Sequence, residues 1–74
     1  MNYDQLKRIE RNYAIFLKKQ PYFESTKVAE NEYGKWALWI YYHKGMSHAT
    51  KKVIATELGD VQLKWVMLDV EKQK

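Results

Sequence analysis

The residues best suited to acid–base catalysis or metal binding are few and scattered. His43 and His48 lie on either side of a glycine, and the nearest carboxylates, Glu32 and Glu57, fall on other predicted elements. Glu30 and Glu32 form a close carboxylate pair, and we assign it to a solvated turn. Catalysis and zinc binding both need several such groups held together, and the chain has no cysteine to contribute. We therefore predict no catalytic residue, no metal ligand and no cofactor, and a protein that is not an enzyme.

Aromatic and basic side chains offer a different chemistry. Five of the eleven aromatic residues lie between Tyr33 and Tyr42. Exposed rings on a sheet can stack nucleic-acid bases, and lysines beside them neutralise phosphates. We predict Trp39 and Tyr41 as the stacking residues. The predicted phosphate contacts are Lys35, Lys44, Lys51 and Lys52.

A second group of basic residues lies near the N-terminus, on a predicted helix. In the simplest interpretation, this group is the solvated face of the helix. In the functional interpretation, it is a secondary contact with nucleic acid or with a membrane surface. Docking of this helix on the core is favoured over membrane binding, because Ile15 falls within the basic face. The group consists of Lys7, Arg8, Arg11, Lys18 and Lys19.

The helix that positions this group is predicted over residues 2–20. Asn2 followed by Gln5 is a capping-box arrangement, and Asp4 suits the positive end of the helix dipole. Apolar residues recur at helical spacing on one side. Pro21 ends the pattern, since the residue before a proline is disfavoured in the helical region.

The aromatic segment, residues 35–42, is predicted as a strand bounded by Gly34 and Gly45. Alternation directs Trp36, Leu38, Ile40 and Tyr42 to one face, and Ala37, Trp39, Tyr41 and His43 to the other. Residues 23–30 form a weaker strand candidate, joined to the next by a turn at 31–34. A short helix over residues 25–33 competes with it. The expected core is Phe16, Trp36, Leu38, Ile40 and Trp65.

The last third admits two interpretations. A two-residue turn at Gly59–Asp60 would pair Leu58 with Val61, with Ile54 opposite Trp65, and give a hairpin with one apolar face. Residues 71–74 would be a frayed tail.

The same segment also resembles part of a helix-turn-helix, through the run Ile-Ala-Thr-Glu-Leu-Gly at 54–59 followed by Trp65 and Leu68. The resemblance covers about 20 residues of the chain. It implies an all-α fold in which Ser47 caps the first helix and Gly59 makes the turn. Nucleic-acid binding would then move to Gln62, Lys64 and the basic first helix.

Length and composition indicate how many domains these elements form and which class of protein they belong to. The 74 residues suit one small domain, residues 1–74, with a net charge of +4. No apolar run approaches the roughly 20 residues of a transmembrane helix, and a cytoplasmic location is expected. We predict an α+β fold: an N-terminal amphipathic helix packed on a three- to four-stranded antiparallel sheet.

The expected function is that of a small, basic, non-enzymatic binding module, most simply a nucleic-acid-binding regulator. The alternative is a protein-interaction module or inhibitor that uses an exposed aromatic sheet face, of the size common among phage and mobile-element proteins. An acidic protein would be its partner, or a second copy of the chain in a homodimer.

Overall fold

Six elements follow one another along residues 1–68, the part of the chain that the computed structural model describes. They are the helix α1 (Tyr3–Asn12), the short helix α2 (Ala14–Lys18), the strands β1 (Phe23–Glu30) and β2 (Trp36–His43), the helix α3 (His48–Leu58) and the strand β3 (Leu63–Leu68). The predicted frayed tail at 71–74 lies outside the described residues. None of these helices is both long enough and apolar enough to cross a membrane.

The start of α1 confirms the predicted cap. The Asn2 side chain accepts a hydrogen bond from the Gln5 backbone N–H at 2.9 Å, and the Gln5 side chain accepts one from the Asn2 N–H at 2.9 Å. The predicted single helix is wrong at one point, because Tyr13 leaves helical geometry (φ −103°, ψ 7°) and divides it in two. The chain still coils through this break, since the Leu17 N–H donates to the Tyr13 carbonyl at 2.9 Å.

Strands β1 and β2 form the antiparallel hairpin that the sequence predicts. The weaker strand candidate is confirmed, and the competing helix over residues 25–33 is wrong. Asn31 closes the turn by accepting hydrogen bonds from the backbone N–H groups of Tyr33 and Lys35, at 2.9 and 3.1 Å. Gly34 completes it at φ +73°, a conformation that glycine adopts without steric cost.

The predicted hairpin around Gly59–Asp60 is wrong, because residues 48–58 are helical. Ser47 caps α3 by accepting a hydrogen bond from the Thr50 N–H at 3.1 Å, and Gly59 ends the helix at φ +67°. Ile54 and Leu58, assigned to the apolar face of the hairpin, are both buried against the core. Their separation of four residues places them on one side of a strand and equally on one side of a helix.

The helix-turn-helix alternative is wrong in its second half. Its cap and glycine are where the resemblance implies them, but β3 replaces the recognition helix. Because α3 carries the chain back along the sheet, β3 runs parallel to β2. The α+β class is confirmed, while the three-stranded sheet, in the order β1-β2-β3, is mixed instead of wholly antiparallel.

One face of the sheet carries the core, and all three helices contribute to it. Leu38 and Ile40, predicted as core residues, are fully buried. Trp36 is not, at 37% exposed, because it begins β2; its ring forms an edge-to-face pair with that of Tyr3, with the centroids 5.4 Å apart. Phe16 and Trp65, the other predicted members, are partly buried and pack against the cluster. The remaining fully buried large side chains are Leu6, Leu17 and Ile54.

Candidate binding face of the sheet

The second face of the sheet carries no helix of residues 1–68, since α1, α2 and α3 all pack against the side of Leu38, Ile40 and Tyr42. Strand alternation puts Trp39 and Tyr41 on this second face, as the sequence predicts. Both rings are partly exposed. We call the surface the open face; it consists of Lys27, Ala29, Trp39, Tyr41, Lys64 and Val66, with Ala37 beneath.

A row of three side chains crosses the open face. Trp39, on the central strand, is the register partner of Lys27 on β1 and of Lys64 on β3. The Lys27 ammonium lies 4.9 Å from the centroid of the indole, and the Lys64 ammonium lies 5.7 Å from it. Lys27 is also 5.8 Å from the Tyr41 ring. An ammonium at such distances is attracted to the electron-rich face of an aromatic ring.

The Trp39 ring is fixed by a hydrogen bond across the hairpin. Its Nε1–H donates to the Ala29 carbonyl at 3.1 Å. Ala29 is the register partner of Ala37, and these two small side chains leave room for an indole to lie over β1. The ring is therefore held in one orientation before any ligand arrives.

Ion pairs lie at the margins of the open face. Lys64 donates to Glu32 at 2.9 Å, and this hydrogen bond, a backbone hydrogen bond and the lysine charge lower the pKa of Glu32. The Glu32 side chain is 58% exposed, so water competes for the pair and a phosphate can displace the carboxylate. At the other end, a hydrogen bond of 2.7 Å joins His43 Nε2 to the Glu24 carboxylate.

The predicted lysines do not surround the predicted rings. Lys35 and Lys44 lie in the turns at opposite ends of β2. Lys51 lies on α3, on the core side of the sheet, where its ammonium donates to the Tyr42 hydroxyl at 3.0 Å and sits 6.0 Å from the Trp65 ring. Lys52 is exposed on the same helix. Trp39 and Tyr41 are thus together, but without these four lysines.

Lys27, which lies on one side of Trp39, is not among the predicted contacts, and Lys64, on the other side, is predicted as a contact only under the helix-turn-helix interpretation. Lys27 lies among the carboxylates of Glu24, Glu30 and Glu32 in the sequence, so it does not stand out as part of a basic group. Cross-strand register is the signal that identifies both, because each is a direct lateral neighbour of the indole. For Lys27, the β1–β2 hairpin turn already implies that pairing.

The basic group on α1 and α2 lies apart from the open face, on the helical side of the molecule. Lys7 forms an ion pair with Glu10 at 2.9 Å, and this contact raises the pKa of Lys7. Burial acts to raise the pKa of Glu10, but hydrogen bonds from Thr26 (2.6 Å) and Lys7 outweigh it and lower the pKa. The other four members, Arg8, Arg11, Lys18 and Lys19, are exposed.

Neither histidine joins a ligand cluster: within residues 1–68, no three His, Asp or Glu side chains are grouped as metal ligands. Comparison of the chain with protein-family models, curated proteins and solved structures gives no match. What the open face can do is set by its own chemistry. It presents two aromatic rings for stacking and two ammonium groups for binding anions.

Proposed function

We propose that this chain binds single-stranded nucleic acid on the open face of its sheet. Trp39 and Tyr41 stack on bases, while Lys27 and Lys64 contact the phosphates on either side. This is the chemistry of stacking platforms, in which each stacked base contributes roughly 1–3 kcal/mol.

The observation that supports the proposal best is the row Lys27–Trp39–Lys64. An indole with an ammonium group from each neighbouring strand over its ring suits a ligand that alternates flat aromatic bases with anionic linkages, because the flexible lysines can move from the ring to the phosphates when a base stacks. Two carboxylates lie at the margins of the face, and each is already hydrogen-bonded to another side chain. Glu24 is bonded to His43, and Glu32 is held by an exposed, displaceable ion pair.

A single strand fits this surface better than a duplex. The bases of a duplex are stacked on one another, and their edges are read by a helix or a two-stranded ribbon that enters the major groove. The open face is the surface of a three-stranded sheet, and no helix of residues 1–68 projects from it. Unstacked bases, by contrast, offer their flat faces to Trp39 and Tyr41.

Self-association through the same face is less favourable. Pairing the open face with that of a second copy brings two pairs of lysines, Lys27 and Lys64 from each chain, into one interface. Like charges brought together there repel, which favours an anionic partner over a homodimer on this face.

Fluorescence anisotropy with labelled mixed-sequence 12-mers of single-stranded DNA and RNA tests the proposal. We expect binding at low salt that weakens as salt rises. Lys27→Gln should weaken it several-fold, whereas Lys52→Gln, the same charge change on the helical side of the sheet, should have little effect. Trp39→Ala should weaken it by about 1–3 kcal/mol.

Absence of binding at low salt, or equal losses in Lys27→Gln and Lys52→Gln, would contradict the proposal. If no oligonucleotide binds and Trp39→Ala instead changes the sedimentation coefficient of the protein, the open face is a protein interface. Sedimentation velocity on wild type and Trp39→Ala therefore accompanies the binding assay.

A further inference from the structure

A groove separates the helices α1 and α2 from strand β1, at the β1 edge of the sheet. Its cavity has a volume of about 370 Å³. Ala14, Leu17 and Phe23 supply apolar surface along it, and Ser25 and Thr26 of β1 form the opposite wall. The groove therefore has one helical wall and one strand wall, with apolar surface between them.

The charge that this groove offers a ligand is positive. Arg11 and Lys18 line it, and neither forms an ion pair with any residue in the range 1–68. The two carboxylates that also line it already have partners. Glu10 accepts hydrogen bonds from Lys7 and Thr26, and Glu24 is hydrogen-bonded to His43.

The free edge of β1 has unused backbone groups, which begin at Thr26 in the groove and continue along the strand beyond it. Strand β1 is at the edge of the sheet. The hydrogen bond from the Asn31 N–H to the Lys35 carbonyl shows which residues of β1 point their backbone groups toward β2. In an antiparallel pair, alternate residues face the partner strand. The N–H and C=O groups of Thr26, Val28 and Glu30 therefore point outward.

A hydrogen bond between β2 and the residue before β3 supports this assignment of outward-pointing groups. The Leu38 N–H donates to Gln62, just before β3, at 2.8 Å. Leu38 is the register partner of Val28, so neither of these two residues uses its N–H in the β1–β2 ladder.

We propose that this groove binds an acidic peptide in extended conformation, which adds to β1 as a fourth strand. The backbone groups of Thr26, Val28 and Glu30 would pair with the main chain of the peptide. Acidic side chains on the helical face of the added strand would reach Arg11 and Lys18. Main-chain bonds give such a complex its affinity, and the side-chain contacts give it selectivity.

A peptide suits the groove better than a nucleic-acid strand does. The edge of β1 alternates donors and acceptors at the repeat of a polypeptide backbone, whereas the backbone of DNA has no hydrogen-bond donors and that of RNA has only its 2′-hydroxyls. The partner's negative charge follows from Arg11 and Lys18. The cations of this site, Arg11 and Lys18, are different from those of the open face, so either proposal can fail without the other.

Fluorescence anisotropy with a fluorescein-labelled octapeptide of alternating Glu and Val tests this site. We expect the Arg11→Glu/Lys18→Glu variant to lose about tenfold or more in affinity. Arg8→Glu/Lys19→Glu, which changes the same charges on helix positions outside the groove, should lose less than about threefold. An octapeptide of alternating Lys and Val should not bind.

Two N-methylated forms of the peptide test strand addition without altering the protein. One carries N-methyl groups on its Glu residues and the other on its Val residues. Because alternate amides of an added strand face β1, one form should lose binding and the other should keep it. Equal binding by both forms, or equal losses in the two double variants, would overturn the proposal. So would an Arg11→Glu/Lys18→Glu variant that loses oligonucleotide binding and keeps the peptide.

Discussion

The indole N–H of Trp39 donates to the main-chain carbonyl of Ala29, across the strands of the β1–β2 hairpin. The bond joins a side chain of the central strand to the backbone of the edge strand. It therefore makes the same residue part of the hairpin's stability and part of the proposed stacking surface. Substitutions at Trp39 can separate these two contributions.

Trp39→Phe keeps an aromatic ring and removes the donor. We expect it to lower the free energy of unfolding by about 0.5–1.5 kcal/mol, the usual net contribution of one hydrogen bond. Oligonucleotide affinity should fall much less than in Trp39→Ala, because the ring remains. Urea denaturation and anisotropy measure the two effects. Trp36→Phe is the control, since the indole of Trp36 donates no hydrogen bond to residues 1–68.

The salt dependence of oligonucleotide binding should show whether the two lysines next to Trp39 contact phosphates. Removing one lysine–phosphate interaction reduces the slope of log K against log salt by about 0.7 for a single strand. Lys27→Gln and Lys64→Gln should each do so, and the double variant should show about twice the reduction. Anisotropy titrations at four or more salt concentrations give the slopes. An unchanged slope in the double variant would show that neither lysine binds a phosphate.

Thr26→Val should destabilise the protein most at neutral pH. The pKa of Glu10 is lowered in the folded state, below the value of about 4.3 in an unfolded chain. Its stabilising contribution is therefore complete above that value, and is lost as the pH falls through the lowered folded pKa. Removing the hydroxyl that donates to Glu10 should cost about 0.5–1.5 kcal/mol at pH 7, and less at pH 3.

Urea denaturation at both pH values measures this difference. Thr56→Val is the control, because Thr56 is exposed on α3 and forms no side-chain hydrogen bond with residues 1–68. Its effect should be the same at pH 7 and pH 3. A Thr26→Val effect that is equally independent of pH would contradict the role assigned to Glu10.

Gly59→Ala should destabilise the end of α3 through the backbone alone. Gly59 has φ +67° and ψ −122°, a region open almost only to glycine, and an added Cβ would meet no atom within 4 Å. We expect a loss of about 1–3 kcal/mol by thermal or urea unfolding. Asp60→Ala, at the exposed neighbouring position, should change stability by less than about 0.5 kcal/mol.

Two adjacent residues of α3 give a test of its orientation. Ile54 is fully buried, and Val53 is 48% exposed. Ile54→Ala should cost about 2–5 kcal/mol through the cavity that it leaves, and Val53→Ala about 0.5 kcal/mol or less. Equal losses would mean that the helix presents a different side to the core.

Local signals were enough for the first half of the fold. The cap formed by Asn2 and Gln5, and the alternation that separates Leu38 from Trp39, each depend on residues a few positions apart. The identity of α3 did not follow in the same way, because Ile54 and Leu58 fit both the helical and the strand period. Ser47 and Gly59, which mark the two ends of the helix, were the better guide.

Of the candidate site, only the two aromatic residues could be predicted from the sequence. Alternation along β2 was sufficient to place Trp39 and Tyr41 on one face. The cations beside them depend on which strands lie next to β2, and the parallel pairing with β3 brings together residues 25 positions apart, Trp39 and Lys64. A pairing between residues so far apart cannot be recognised from a short stretch of sequence.

The placement of β2 between a neighbour close in sequence and one far away also bears on how the molecule assembles. The β1–β2 hairpin needs only a short loop to close. Strand β3 can pair with β2 only after α3 has packed against the sheet and returned the chain to its starting end. Lys64 is thus expected to join Trp39 late in folding. A ligand that binds both lysines would recognise only the finished chain, and the melting temperature would rise as the free concentration of that ligand increases.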